Sequence, residues 1–321
     1  MLRPRRNRKS AAIREMIAET NLSVSNLIFP LFLEDENSAK IEINSMPGIF
    51  RFGETELFQE VETCLDLGIS SFVLFPSVKE KYKTEDAAYA LSEENYYLKR
   101  IHDLKQRFPE IILMSDVALD PYSSHGQDGL VKDGKVLNDE TVEVLSQMSL
   151  LQAQAGIDII GPSDMMDGRV GAIRNELDQN NFTDVSIMSY TAKYASAFYG
   201  PFRDALDSAP KGGDKKTYQM DPSNKREALL EAQLDVEEGA DFLMVKPALS
   251  YLDIISDLNA NFDIPIAAYN VSGEYAMVKA AAEKGWINGD AIMHEILLSI
   301  RRAGATSILT YFAKEFAIKN S

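Results

Sequence analysis

At 321 residues, with 45% hydrophobic and 26% charged side chains, the chain has the length of a single α/β barrel and enough apolar residues for a full core. A formal charge of −16 excludes general binding to a nucleic-acid backbone, and any anionic ligand would need cations gathered locally. Cys64 is the single cysteine, which excludes an internal disulfide and a thiolate metal cage, and no run approaches the roughly 18 apolar residues of a membrane span. The expectation is a cytoplasmic, soluble protein with neither nucleic-acid nor membrane partners.

Residues 1–25 read as an N-terminal arm with a short helix. Its opening, Met1-Leu-Arg-Pro-Arg-Arg-Asn-Arg-Lys-Ser10, is basic, with no apolar stretch of signal-peptide type behind it. A flexible arm laid on a negatively charged neighbour and a plain disordered terminus both fit. From residue 26 to 321 the chain reads as one catalytic domain. Eight short apolar, β-branched or aromatic runs recur: Leu27–Leu33, Phe72–Pro76, Ile111–Val117, Ile157–Pro162, Val185–Tyr190, Phe242–Val245, Ile264–Tyr269 and Ile308–Tyr311. Helical periodicity fills the gaps, as in Leu57, Val61 and Leu65, in Tyr97, Ile101, Leu104 and Phe108, and in Ile292, Ile296 and Ile300. Gly68, Gly156, Gly239 and Gly304 stand just before strand runs, where a helix end needs a left-handed residue. Strand alternating with helix eight times predicts a TIM (β/α)8 barrel carrying an extended arm. The competing open, doubly wound sheet lacks its Gly-rich phosphate turn here. One connection is unusual: residues 195–224 show little pattern, are rich in aromatic residues and glycine, and read as a structureless active-site lid.

In such a barrel the reactive groups stand at the C-terminal ends of strands. That rule selects Asp116, Ser163, Lys193, Lys246, Ser272 and Tyr311. The lysines matter most, because a desolvated amine loses its proton near neutrality and becomes a nucleophile toward carbonyls. Two of them on neighbouring strands would each favour the other's neutral form and suggest two carbonyl substrates. The plainer alternative is that one or both pair with a carboxylate at the rim.

The sequences around these positions resemble one family. Ser189-Tyr-Thr-Ala-Lys193, continuing to Phe198-Tyr-Gly-Pro-Phe-Arg203, together with Met244-Val-Lys246-Pro-Ala, Tyr269-Asn-Val-Ser272-Gly-Glu, Gly161-Pro-Ser-Asp-Met-Met-Asp-Gly-Arg169 and Asp116-Val-Ala-Leu-Asp-Pro-Tyr-Ser-Ser-His125-Gly, are similar to porphobilinogen synthases, also called 5-aminolevulinate dehydratases. The resemblance runs from the Arg-Pro-Arg-Arg arm to Tyr311. It implies a homo-octameric lyase that joins two 5-aminolevulinate molecules into porphobilinogen, losing two waters, in tetrapyrrole (haem) biosynthesis. It implies that Lys193 and Lys246 are Schiff-base lysines. Arg203, Lys215 and Gln219 would grip one substrate carboxylate, and Ser272 and Tyr311 the other. Lys215 stands where the family often has arginine, so its grip is that of a point charge rather than a planar fork. Taken alone, Arg203 could pair with Asp204 or Asp207, and Tyr311 could be a core tyrosine with one hydrogen bond.

Zinc-dependent members carry three cysteines where this chain has Ala118, Asp120 and Asp128. No zinc is therefore expected; hard oxygen donors would suit magnesium or a monovalent cation at the active site, or act through water. Asp116, Asp120, Asp128 and Ser163 become candidates for proton transfer or for holding that cation, or else form a solvated turn. His125 is a further candidate helper, or else a structural histidine. Glu231 lies on an acidic amphipathic helix that reads as solvated surface, but the resemblance makes it the ligand of an allosteric magnesium held mostly through water. A class I aldolase has no need of two such lysines, and a barrel that binds a keto-acid or tetrapyrrole without turnover would keep the carboxylate-gripping cations while losing one of the lysines; retention of both disfavours these alternatives.

Overall fold

The structure, a computed structural model, describes residues 1–206 and 212–320. Asp207, the possible partner of Arg203, and Lys211 in the lid lie outside the described residues. Eight parallel strands close on themselves: β1 (Leu27–Glu34), β2 (Ser71–Ser77), β3 (Ile112–Met114), β4 (Ile159–Ile160), β5 (Ser186–Lys193), β6 (Phe242–Lys246), β7 (Ile266–Asn270) and β8 (Ser307–Thr310). Closure is made by β1 and β8, which pair Leu27 with Ile308 and Ile28 with Leu309. Buried on both faces, the strands read as near-continuous apolar runs rather than alternating ones. Phe32, Phe72, Phe75, Tyr190, Tyr269 and Tyr311 are among the largest fully buried side chains, so the barrel is a filled core, not a pore.

The outer helices form where the periodicity predicts. Tyr96–Arg107 buries Tyr97, Ile101 and Leu104 and is capped by Asn95, whose side chain accepts from Tyr97 N at 3.1 Å. Gly289–Ala303 buries Ile296 and Ile300 and is capped in the same way by Asn288. Gly68, Gly156, Gly239 and Gly304 all have positive φ, which lets the chain leave a helix and enter the next strand. Between β3 and the helix Asn138–Ala155, a two-residue Asp133-Gly134 turn with both φ positive joins the small antiparallel pair Val131–Lys132 and Lys135–Val136.

Two expectations shift. β5 runs on to Lys193, so that lysine ends the strand rather than following it; Thr191 and Ala192 are less apolar than the run before them, yet both are buried. The lid is not structureless, for Ala197–Tyr199 is a 3-10 turn and Gly200–Leu206 an α-helix that buries Ala205 and Leu206. Its Phe202 packs edge-on against Phe75 with centroids 4.9 Å apart. That anchorage, invisible to local pattern, is what orders it. The arm, with a 3-10 turn at Pro4–Arg8 and a helix at Ala11–Met16, buries none of its own residues. Among the described residues no helix is long and apolar enough to cross a membrane.

Candidate active site

Lys193 and Lys246 are direct partners in the β5–β6 register. An irregularity between Leu243 and Val245 shifts that register and brings the two strand-end residues level. Both are 94% removed from solvent, each at 6% exposure, which is abnormal for lysine.

Their surroundings differ. The Lys246 Nζ is boxed by rings, 4.7 Å from the centroid of Tyr269, 5.0 Å from Phe202 and 5.1 Å from each of Tyr190 and Tyr199. Among the described residues it has no salt-bridge partner. Ring faces favour a cation by about 0.5–2 kcal/mol, whereas burying an unpaired charge costs several kcal/mol, so desolvation wins. Burial first, and then the neighbouring Lys193 charge, bring the Lys246 ammonium down to about 7. Lys193 is tied instead: its Nζ donates to Asp128 Oδ2 at 3.2 Å and, more closely still, to the Ser163 carbonyl. One lysine is thus poised as a neutral amine while the other is held by acceptors.

Asp128 is the hub. Its second oxygen accepts from Lys215, which also lies 3.4 Å from Asp120 Oδ2. Burial alone would raise the Asp128 carboxyl, but Lys193 and Lys215 together hold it below the usual carboxylate range. Asp116 goes the other way; burial, with Asp120 as a like charge beside it, raises it to about 7 despite Lys246. Two carboxylates of one loop are therefore driven apart, one ionised and one able to carry a proton. The donor set does not suit a metal: Asp128 serves two ammonium groups, Asp120 one, and Ala118 offers no donor. Among the described residues no three metal-ligating side chains converge.

The small pocket in front of these groups is lined by Asp116, Asp120, Ser163, Lys193, Lys246 and, from the lid, Tyr199, Phe202, Arg203, Lys215 and Gln219. The three lid residues predicted to grip a carboxylate therefore do face the lysines, and the buried Gln219 Oε1 has no partner among the described residues. Ser272 and Tyr311 do not reach this pocket. Ser272 Oγ accepts from Phe202 N at 3.0 Å and donates to Phe198 O at 3.4 Å, holding the lid. Tyr311 is buried with its hydroxyl 2.9 Å from that of Tyr269. The expected convergence of all six strand-end groups on one mouth is thus corrected to four, because Ser272 is taken up by the lid backbone and Tyr311 is packed into the core against Tyr269, Phe32 and Tyr275. His125 belongs to a turn, its Nδ1 accepting from Gln127 N at 3.1 Å, and it lines a separate cleft.

Glu231, on the helix Arg226–Glu238, is half-buried rather than fully solvated. Burial raises its carboxyl to about 7 against the pull of Arg169, helped by Asp235, Asp167 and Glu227. With Asp167 and Glu227 it lines a cleft of 1240 Å³ beside the lid. These carboxylates do not converge as a ligand set, but a hydrated divalent cation needs few direct protein ligands and Glu231 alone is chemically compatible with one.

Sequence reasoning missed the aromatic box, since Tyr190, Tyr199, Phe202 and Tyr269 come from separate elements and each alone reads as core. It also missed Gln127, and Arg169, a fully buried arginine between Asp235 at 3.6 Å and Asp164 at 3.9 Å. Arg169 stands within the Gly161–Arg169 motif, so a signal was present; what it would bind was not.

A closed parallel barrel with two buried lysines paired across neighbouring strands at its C-terminal mouth defines a class, the Schiff-base enzymes of TIM-barrel architecture. Comparison with known proteins narrows it: the family model for delta-aminolevulinic acid dehydratase matches residues 1–319, and the chain belongs to that family. The barley chloroplastic enzyme of that name is 55% identical over 315 residues, covering 98% of this chain and 73% of the relative. The Chlamydia pneumoniae enzyme is 50% identical over 311 residues, covering 97% of this chain and 94% of the relative. Among solved structures, that of Toxoplasma gondii porphobilinogen synthase in complex with its reaction product porphobilinogen matches with a TM-score of 0.98 at 51% identity, covering 99% of this chain and 91% of that one.

Proposed function

We propose that this chain is a hydro-lyase that condenses two molecules of 5-aminolevulinate into porphobilinogen with loss of two waters, in tetrapyrrole biosynthesis. The observation that carries the reading is the pairing of Lys193 with Lys246 in one buried pocket that Asp116 also lines. Each lysine takes one substrate. A neutral Lys246 amine adds to a ketone carbon, and the resulting hydroxyl leaves as water when a proton reaches it; Asp116, half-protonated near neutrality, faces the pocket to supply that proton. Lys193 needs its contact with Asp128 loosened before it can add to the second ketone. Arg203, Lys215 and Gln219 grip the carboxylate of the substrate on Lys193. Ser272 and Tyr311 receive the other carboxylate, Ser272 once the Phe198–Phe202 segment lifts from it.

Metal use follows from the donors. Zinc has no cage here, and the contacts of the Lys215 ammonium with Asp120 and Asp128 support, among the options of magnesium, a monovalent cation or water alone, a reading in which the chemistry rests on protein groups. Magnesium is assigned to Glu231, with Asp167 and Glu227 nearby, and would act as an allosteric charge that relieves their repulsion. The exposed basic arm on an acidic chain, and the exposed Leu230 and Leu234 on the helix that bears Glu231, suit self-association into a homo-octamer. A cytoplasmic setting completes the reading, since the lone thiol of Cys64 suits a reducing compartment.

The test is incubation with 5-aminolevulinate, assay for porphobilinogen, and borohydride reduction followed by peptide mass spectrometry. Label at Lys246, and at Lys193 when both substrates are bound, is expected. A Lys246→Ala variant that turns over at near the parental rate would overturn the assignment.

A further inference from the structure

The geometry points to Gln127 as the residue that latches the second half of the lid and thereby positions Lys215. Gln127 is buried on the loop after β3, immediately before Asp128. Its Nε2 donates to Gly212 O at 3.2 Å and to Asp214 O at 3.3 Å, the carbonyls on either side of Gly213. Its Oε1 accepts from Tyr218 Oη at 2.7 Å, and the same Tyr218 oxygen accepts from Asp128 N at 3.2 Å. Both amide hydrogens and the amide oxygen are thus spent on the lid, on the residues that flank Lys215.

That arrangement has a consequence for closure. A buried primary amide left without partners is costly, so Gln127 favours the state in which residues 212–219 are seated. It grips backbone carbonyls, which holds the chain without depending on lid side chains, and positive φ at Gly213 lets two carbonyls turn toward one amide. With Asp214 held, the next residue, Lys215, is delivered to Asp120 and Asp128. Gln127 and Asp128 therefore act as a pair, one fixing the lid's backbone and the other its ammonium together with that of Lys193. Gln127 itself touches no reacting atom; it is a positioning residue. The inference rests on the proposed function only for the meaning of Lys215, because the latch can be measured without substrate.

The experiment compares the parent with Gln127→Glu, which keeps shape but turns a carboxylate oxygen toward two carbonyls, and with Tyr218→Phe, which removes one of the three Gln127 bonds together with the acceptor of Asp128 N. Hydrogen exchange of the full chain, read by mass spectrometry without substrate, should quicken in peptides spanning 212–219. The expected factor is about ten-fold or more for Gln127→Glu and less for Tyr218→Phe, with barrel-strand peptides unchanged. With 5-aminolevulinate, KM should rise by about ten-fold for Gln127→Glu, while borohydride capture at Lys246 under saturating substrate stays parental. Lid peptides exchanging at the parental rate in both variants would overturn the latch, as would faster exchange spread evenly over the barrel. Absence of porphobilinogen from the parent itself would strike the functional reading and leave the exchange result standing.

Discussion

At the scale of single residues, what matters is that one pocket holds groups whose protonation is pushed in opposite directions. Lys246 must be neutral to attack, and with its ammonium lowered to about 7 it becomes so as pH rises through that value; Asp116, raised to about 7, loses its transferable proton over the same range. Imine capture at Lys246 should therefore climb through pH 7 and flatten, while turnover should pass through a maximum near neutrality, as rate and trapping profiles measured on one preparation will show. The neighbouring cation is part of the cause, so Lys193→Met should move the capture midpoint to higher pH; an unmoved midpoint would leave burial as the sole cause. On the lid, Arg203→Ala should weaken apparent affinity for one substrate molecule by about ten-fold or more and spare the other, since a lost charge-assisted contact is worth roughly 1.5–3 kcal/mol. Substrate dependence identical to the parent would remove Arg203 from the site.

At the scale of elements, the barrel was legible because each strand is buried on both faces and each helix carries a separate apolar stripe. Both patterns are local. The left-handed glycines were legible for the same reason, their requirement being set by one residue's φ. What did not show was whatever depends on distant segments meeting. The extension of β5 to Lys193 is stabilised by β6, which pairs Val245 with Ala192 and Lys246 with Lys193, and by Met220 N donating to Lys193 O, the Gly200–Leu206 helix by Phe75 and Ser272, and the box around Lys246 by rings from four places in the chain. Gly273 illustrates this coupling: a Cβ added there would stand 2.5 Å from Phe198 O and 2.8 Å from Phe198 Cα, backbone atoms with little freedom to yield. Gly273→Ala should push the Phe198–Phe202 segment off its seat, at a cost of about 1–3 kcal/mol as for other overpacked sites. Thermal unfolding should register the lost stability, and imine capture at pH 7 should fall as water reaches Lys246 and restores its charge. A variant with parental melting and parental capture would show that the lid does not rest on Gly273.

At the scale of the whole molecule, the chemistry and the proposed magnesium site occupy different places. The lysines open on the barrel mouth, whereas Glu231 lines a separate cleft, and the buried Arg169 contacts both Tyr190 O of β5 and Asp235 of the Glu231 helix. Glu231 shares its surroundings with Asp167, Asp235 and Glu227, and a divalent cation would relieve the repulsion that, after burial, raises its carboxyl. A cation can shift an assembly only by its unequal affinity for the two states, so magnesium should change oligomer distribution and activity together. Chelation by EDTA should lower both, and magnesium rather than zinc should restore them. Glu231→Ala should abolish that response in sedimentation velocity and in turnover, yet leave the Lys246 imine trappable, because no group of the Arg226–Glu238 helix lines the lysine pocket. Because burial already holds the Glu231 carboxyl near 7, protons and magnesium compete for it, and the magnesium concentration needed for half-effect should rise as pH falls below about 7. Undiminished magnesium stimulation in Glu231→Ala, or a half-effect concentration that ignores pH, would show that the cation acts elsewhere.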